Sequence, residues 1–249
     1  MKIDHLVVNI DSAWQEDPHH VEEIRSAGLP YMPKWGKGTR GFKVSNVWIG
    51  KEYLELVRIK RPDGGGWIPE WTQRYLAGHR GLVGLAIDVE DIEAVYRKLR
   101  DAKVKVTRPE PLRFKWFFRL LTRTMPWKNA YLPPFEGMPF QLFLQQMDNE
   151  KARSFMEAYM VPNSRNQGIE GIAELIVYGR LTADDKRIVM ALFDHVDEIA
   201  GEIRIAIGEQ IIRFVPADAH RVEVVLRGTN REYNGQRLAL HNLELIHPE

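Results

Sequence analysis

Three stretches of the chain repeat one pattern: an apolar run, a turn, an amphipathic segment, then further alternating runs. The first run, Ile3-Asp4-His5-Leu6-Val7-Val8-Asn9-Ile10, reads as a strand. Alternation puts Ile3, His5, Val7 and Asn9 on one face and Asp4, Leu6, Val8 and Ile10 on the other. A helix is expected over residues 18–27, where Val21, Ile24 and Ala27 share a side, and Gly28 then Pro30 stops it. A glycine-rich segment, 35–41, leads to expected strands over 44–49 and 53–59, joined at Gly50-Lys51. The second stretch opens with a strand over 82–89. Its helix is expected over 91–102, with Ile92, Val95, Tyr96 and Leu99 on one stripe and Asp91 or Asp88 as its cap. Strands over 104–107, 129–132 and 140–145 follow.

A linker helix is expected over 150–159, because Ala152, Phe155, Met156 and Tyr159 share a face. The third stretch begins at Gly171 and continues into a helix over 183–196, where Thr182 and Asp185 have the spacing of a capping box. Strands over 202–207, 210–214, 221–226 and 238–246 complete it. Each helix precedes several strands, some joined by very short turns, and such turns make antiparallel pairs. This argues for an α+β fold of repeated βαβββ units rather than a doubly wound sheet. The expected organisation is a two-module unit over 1–147, a linker over 148–168 and a third βαβββ-like unit over 169–249.

Composition narrows the chemistry. The chain has 249 residues and no cysteine, which removes disulfides, thiolate nucleophiles and zinc–thiolate sites. Thirty-five basic residues balance thirty-four acidic ones, so no global field for nucleic acid exists. No apolar run approaches the ~20 residues of a membrane span, and the N-terminus lacks the pattern of a secretion signal. The expected protein is cytoplasmic, with neither nucleic acid nor membrane as a partner.

The opening "IDHLVVNI", the later "EYLELV" and the second opening "GLVGLAIDVEDIEAVYRKL" resemble the vicinal oxygen chelate superfamily, and within it the glyoxalase-like proteins. The resemblance spans about residues 1–146; from Gly171 on it rests on the repeated pattern alone. It implies a glyoxalase-like barrel in which two βαβββ modules close around one divalent metal, with ligands on the first and last strand of each module. The first module supplies His5 and Glu55 at those positions. In the second module Gly84 stands where a histidine is expected and Gln141 where a glutamate is expected.

Three readings follow. A divalent metal sits on His5, Glu55 and Gln141 with water completing its shell. A further ligand comes from elsewhere, such as His79, Glu174 or a second chain. Or the barrel binds an organic molecule without metal. In the catalytic reading, an enzyme of glyoxalase type with lyase or isomerase chemistry, Glu55 is also the base. The alternative is a non-catalytic protein that sequesters a small molecule. The unusual stretch 113–128 carries five basic and five aromatic residues and no acid. With Trp48, its Arg113, Lys115, Trp116 and Arg119 are candidate binders of an anionic ligand at the barrel mouth. The same stretch suits a dimer contact, an interfacial membrane helix or a core-covering insertion. A third module without a partner raises the expectation of a homodimer. Trp67 and Trp71, beyond the loop Asp63-Gly64-Gly65-Gly66, are expected to shade a pocket.

Overall fold

In the computed structural model, which describes residues 1–116 and 121–249 and their side chains outside 114–123, β1 (Lys2–Asn9) is covered on both faces. Leu6, Val8 and Ile10 join the main core, while Val7 joins a smaller cluster on the opposite side. After β1 come α1 (Ala13–Glu16) and α2 (Pro18–Ser26). Pro18 begins α2, and the Asp17 side chain accepts a hydrogen bond from the His19 amide. Then follow β2 (Lys37–Gly38), β3 (Phe42–Ile49), β4 (Glu52–Ile59) and α3 (Pro69–Leu76). The second module contains β5 (Gly81–Asp88), α4 (Ile92–Asp101), β6 (Glu110–Trp116), β7 (Leu121–Pro134) and β8 (Gln141–Met147). As expected, Asp91 caps α4 by accepting from the Ala94 amide.

These eight strands form one curled sheet in the order β2-β3-β4-β1-β5-β8-β7-β6. β1 runs parallel to β4, and β5 parallel to β8. β1 and β5 pair antiparallel, so the two modules meet along that seam. Helix-side residues of the sheet feed the main core; the concave side forms a cup.

α5 (Glu150–Tyr159), capped by Asn149, leads to a second sheet. This contains β9 (Ile169–Gly179), α6 (Ala183–Leu192), β10 (Val196–Ile199), β11 (Glu202–Ile207), β12 (Gln210–Pro216), β13 (Arg221–Gly228), β14 (Arg237–Leu240) and β15 (Leu243–Ile246). The Thr182–Asp185 capping box forms in full. The third βαβββ-like unit runs beyond a single module. β9 is parallel to β12 and antiparallel to β13, and β13 is parallel to β15, which repeats the pairing scheme of the first sheet.

Several local expectations change. The helix expected over 183–196 ends at Leu192, and Val196 opens β10. Residues 104–107 form no strand. The described residues of the basic–aromatic stretch lie in two antiparallel strands, β6 and β7, which removes only the interfacial helix from its alternatives. The Arg-Phe-Lys-Trp alternation at 113–116 has period two, which favours a strand. The run 238–246 splits into β14 and β15 around His241, whose φ is 62°. Segment 69–76, left unassigned from sequence, is helical, with Pro69 in its first turn and Trp71 and Thr72 buried. Among the described residues no helix is long and apolar enough to cross a membrane.

The two sheets share the main core, and polar groups stitch their seam. Gln210 Oε1 accepts from the Ile3 amide at 2.7 Å, and its Nε2 donates to the Ile172 carbonyl at 3.2 Å. Glu52 Oε2 accepts from the Ile172 amide at 3.0 Å. Gln210 is buried, so Gln210→Leu strands two backbone groups away from water. Urea denaturation of this variant is expected to show a loss of roughly 1–3 kcal/mol; unchanged stability would mean that the seam does not depend on these bonds.

Candidate functional site

The chemistry of the cup starts from an irregularity in β1. Ile3 pairs with Ile87 and His5 with Ala86, so Asp4 is an extra residue on β1. Such a bulge brings successive side chains to the same side of the sheet. Ile3 therefore enters the main core, and Asp4 turns to the cup. This corrects the strict alternation expected from sequence. Asp4 Oδ1 lies 2.5 Å from His5 Nδ1 and accepts a second hydrogen bond, 2.9 Å, from Gln145 Nε2 on β8. An ionised carboxylate can only accept, so Nδ1 carries a proton, and in the neutral ring Nε2 then presents its lone pair. No described residue hydrogen-bonds Nε2. The imidazole stacks on Tyr53 at 4.4 Å and meets the edge of Phe143 at 5.4 Å.

Glu55 lies on β4, whose register sets His5 beside Tyr53 and Val7 beside Glu55. It shares the cup face with Val57 and Ile59. Its side chain keeps some contact with solvent although protein surrounds it, as at the floor of a concave site. Burial holds its carboxyl above the usual carboxylate range; His5 opposes that shift and Asp4 reinforces it. Among the described residues Glu55 has no hydrogen-bond partner.

The second-module positions are used differently. Gln141 Oε1 accepts from the Trp71 indole N–H at 2.7 Å, and Gln141 Nε2 donates to the Leu132 carbonyl at 2.7 Å. A Cβ on Gly84 would lie 2.7 Å from Cζ2 and 2.9 Å from Cη2 of Trp71. The residue at Gly84 thus has to be glycine for the indole to sit there. Trp71 and Trp67 fill the far half of the cup rather than shading an open pocket.

The divalent metal implied by the resemblance does not fit this donor set. Gly84 has no donor atom, the Gln141 oxygen is engaged by Trp71, and His5 Nδ1 is held by Asp4. Among the described residues no three His, Asp or Glu side chains come together as a cage. The other suggested ligands lie elsewhere in the hydrogen-bond network. His79 Nε2 is 2.9 Å from the Leu82 carbonyl, and Glu174 pairs with Arg213 at 3.5 Å.

Of the expected ligand binders, Trp48 packs at 4.8 Å on Tyr53, on the cup face of β3. Arg113 is exposed on the edge strand β6. The side chains of Lys115 and Trp116, and the whole of Arg119, lie outside the described residues. Sequence reasoning missed Asp4 and Gln145, and gave Trp71 a pocket to shade rather than one to fill. The adjacent Asp4-His5 pair was visible, but only a bulge brings its two side chains to one side.

The open half of the cup lies under α5. A cleft of about 30 Å³, room for a water molecule or two, is lined by Asp4, Tyr53 and Gln145 below and Met156, Glu157 and Met160 above. Arg153 of α5 grips buried Asp88 through two bonds of 2.7 and 3.2 Å, and Lys51 pairs with Glu157 at 3.5 Å.

Because folding raises the proton affinity of Glu55, its ionisation opposes folding. Wild-type stability falls as pH climbs from the ordinary glutamate value of 4.5 through the raised folded value, and the loss persists above it. Glu55→Gln escapes that loss. Urea titrations at about pH 8 should find the variant more stable than wild type, with the gap closing near about pH 4. An equal gap at both values would show that the carboxyl is not desolvated.

The glyoxalase-like domain model matches residues 3–184. No curated protein sequence matches the chain. A hypothetical protein from Staphylococcus aureus has a similar structure, with a TM-score of 0.71 at 16% identity, covering 100% of this chain and 99% of that one. A Streptomyces coelicolor methylmalonyl-CoA epimerase in complex with 2-nitronate-propionyl-CoA aligns at TM-score 0.42 and 19% identity, over 60% of this chain and 99% of its own. The methylmalonyl-CoA epimerase from Mycobacterium tuberculosis aligns at 0.42 and 13%, over 61% and 91%. The S. aureus likeness extends over both sheets and concerns fold alone. With a family match over most of its length, and with its paired modules and central cup, the chain belongs to the glyoxalase-like domain family of the vicinal oxygen chelate superfamily.

Proposed function

We propose that this protein binds a small organic molecule in the open half of the cup, with α5 moving aside to enlarge the cleft, and moves a proton on it, using side chains in place of a metal. One observation supports the reading: His5 Nε2 and the Glu55 carboxyl, on adjacent strands and close enough for His5 to act on Glu55 electrostatically, make no hydrogen bond to a described residue. Asp4 fixes the imidazole tautomer, the arrangement that makes a histidine an oriented base. Burial leaves Glu55 easier to protonate than a free glutamate, which suits a group that returns a proton. The substrate class this supports is a small carbonyl compound with an acidic C–H, undergoing isomerisation or elimination. Tyr53 and Phe143 flank the imidazole and supply apolar walls.

A second reading, sequestration without chemistry, is favoured by the α5 cover. Its Met156 and Met160, with Met147 and Trp127 beneath, present soft apolar surface over the cleft, and the Arg153–Asp88 pair holds the helix down.

Both readings meet one experiment. The full chain is incubated in D2O with a panel of 2-oxo acids, 3-oxo acids and α-hydroxyketones, and deuterium uptake at carbon is followed by NMR. Catalysis predicts uptake in at least one member, falling about 100-fold or more in His5→Ala and Glu55→Gln. Thermal stabilisation by a panel member without deuterium uptake selects sequestration. Uptake that survives both substitutions contradicts the assigned roles.

A further inference from the structure

The far half of the cup is a slot shaped around a flat ring. The Trp71 indole in it is only 2% exposed. Gln141 Oε1 meets its N–H at 2.7 Å, and the Leu132 carbonyl, 2.7 Å from Gln141 Nε2, fixes which way the amide faces. The floor is Gly84, where a methyl group would collide with the ring. Phe143 and Tyr131 form walls, with ring centres 5.6 and 6.2 Å from the indole. One oriented acceptor, one bare backbone floor and two aromatic walls are the ingredients of a site for a planar ring that donates one N–H.

The segment that supplies the ring is short. α3 has eight residues, and the glycines before it, Gly64, Gly65 and Gly66, all have positive φ, as does Gly78 after it. Its seat leaves polar groups unsatisfied. Among the described residues Trp67 Nε1 is buried without a partner, and so are both amide atoms of Asn9, which pairs with Val57 of β4. Three anchors oppose release: Arg74 donates to the Met138 and Phe135 carbonyls, and the Tyr75 hydroxyl to that of Ile10.

We propose that this slot is a binding subsite for planar N–H heteroaromatic molecules of about indole size, which the chain occupies in cis with Trp71. An external ligand of that class competes with α3 for the Gln141 oxygen and the Gly84 floor. The slot adjoins the His5 ring through Phe143, but the inference does not depend on proton chemistry at His5.

The test uses the full chain carrying Trp71→Gly, with indole as the probe. Circular dichroism reports its fold and calorimetric titration reports binding. The expected result is 1:1 binding, at least about tenfold tighter than to wild type. Adding Gln141→Leu should weaken it about five- to tenfold, the worth of one hydrogen bond, and adding Gly84→Val should abolish it. If Trp71→Gly is unfolded alone, millimolar indole should restore the folded signal, since a ligand of the native state draws the chain into it. A folded variant that takes up no indole, binding indifferent to Gln141→Leu and Gly84→Val, or an unfolded variant that indole does not rescue each overturns the proposal.

Discussion

The antiparallel pairing of β1 with β5 is the constraint on which the cup depends, because both modules hang from that seam. Each strand carries one extra residue there: Asp4 in β1 and Val83 in β5. In a regular ladder neighbouring side chains alternate between faces. The bulge in β1 instead brings a carboxylate beside the imidazole that follows it. The irregularity in β5 places Val83 in the concave cluster, next to the bare backbone of Gly84. Equivalent seam positions thus receive opposite treatments: a polar pair on one strand, a ring-bearing gap on the other.

The result is a cup with two unlike halves. On one side, Asp4, Tyr53 and Gln145 line the cleft under α5, and the His5 ring stacks on Tyr53 beside it. On the other side, Trp71 of α3 and Gln141 of β8 satisfy one another in a dry cluster. The aromatic lining is continuous across the boundary, from Tyr53 through His5 and Phe143 to Trp71. Burial matters differently on the two sides. It excludes water from the indole–amide bond, which strengthens that bond, and it makes an ionised Glu55 expensive. The second sheet braces this arrangement from behind, where Gln210 and Glu52 satisfy backbone groups at the starts of β1 and β9.

Much of the fold was legible in sequence because its signals are local. Asp91, and Thr182 with Asp185, mark helix starts through short-range hydrogen bonds, and the alternation at 53–59 correctly put Glu55 on the face opposite Leu54 and Leu56. The remainder depended on partners distant in sequence. A bulge at Asp4 is defined by the strand opposite, so strict alternation misplaced both Ile3 and Asp4. The turn at His241 has no glycine at the residue that takes positive φ, and without that cue β14 and β15 read as one run. α3 is only eight residues long and lies between glycines, which hid it in an apparent loop. The glycine at 84 was visible as a missing ligand; that a tryptophan thirteen positions earlier fills the gap became visible only in three dimensions.

The central claim is that Asp4 orients His5 and leaves Nε2 as the open nitrogen of the cup. Long-range 1H–15N correlation of the histidine side chains, at a pH where the ring is neutral, reads this directly. The account predicts a protonated Nδ1 and an unprotonated Nε2 for His5, with that preference weakened or reversed in Asp4→Asn. A His5 ring carrying its proton on Nε2, or a tautomer unmoved by Asp4→Asn, would contradict it.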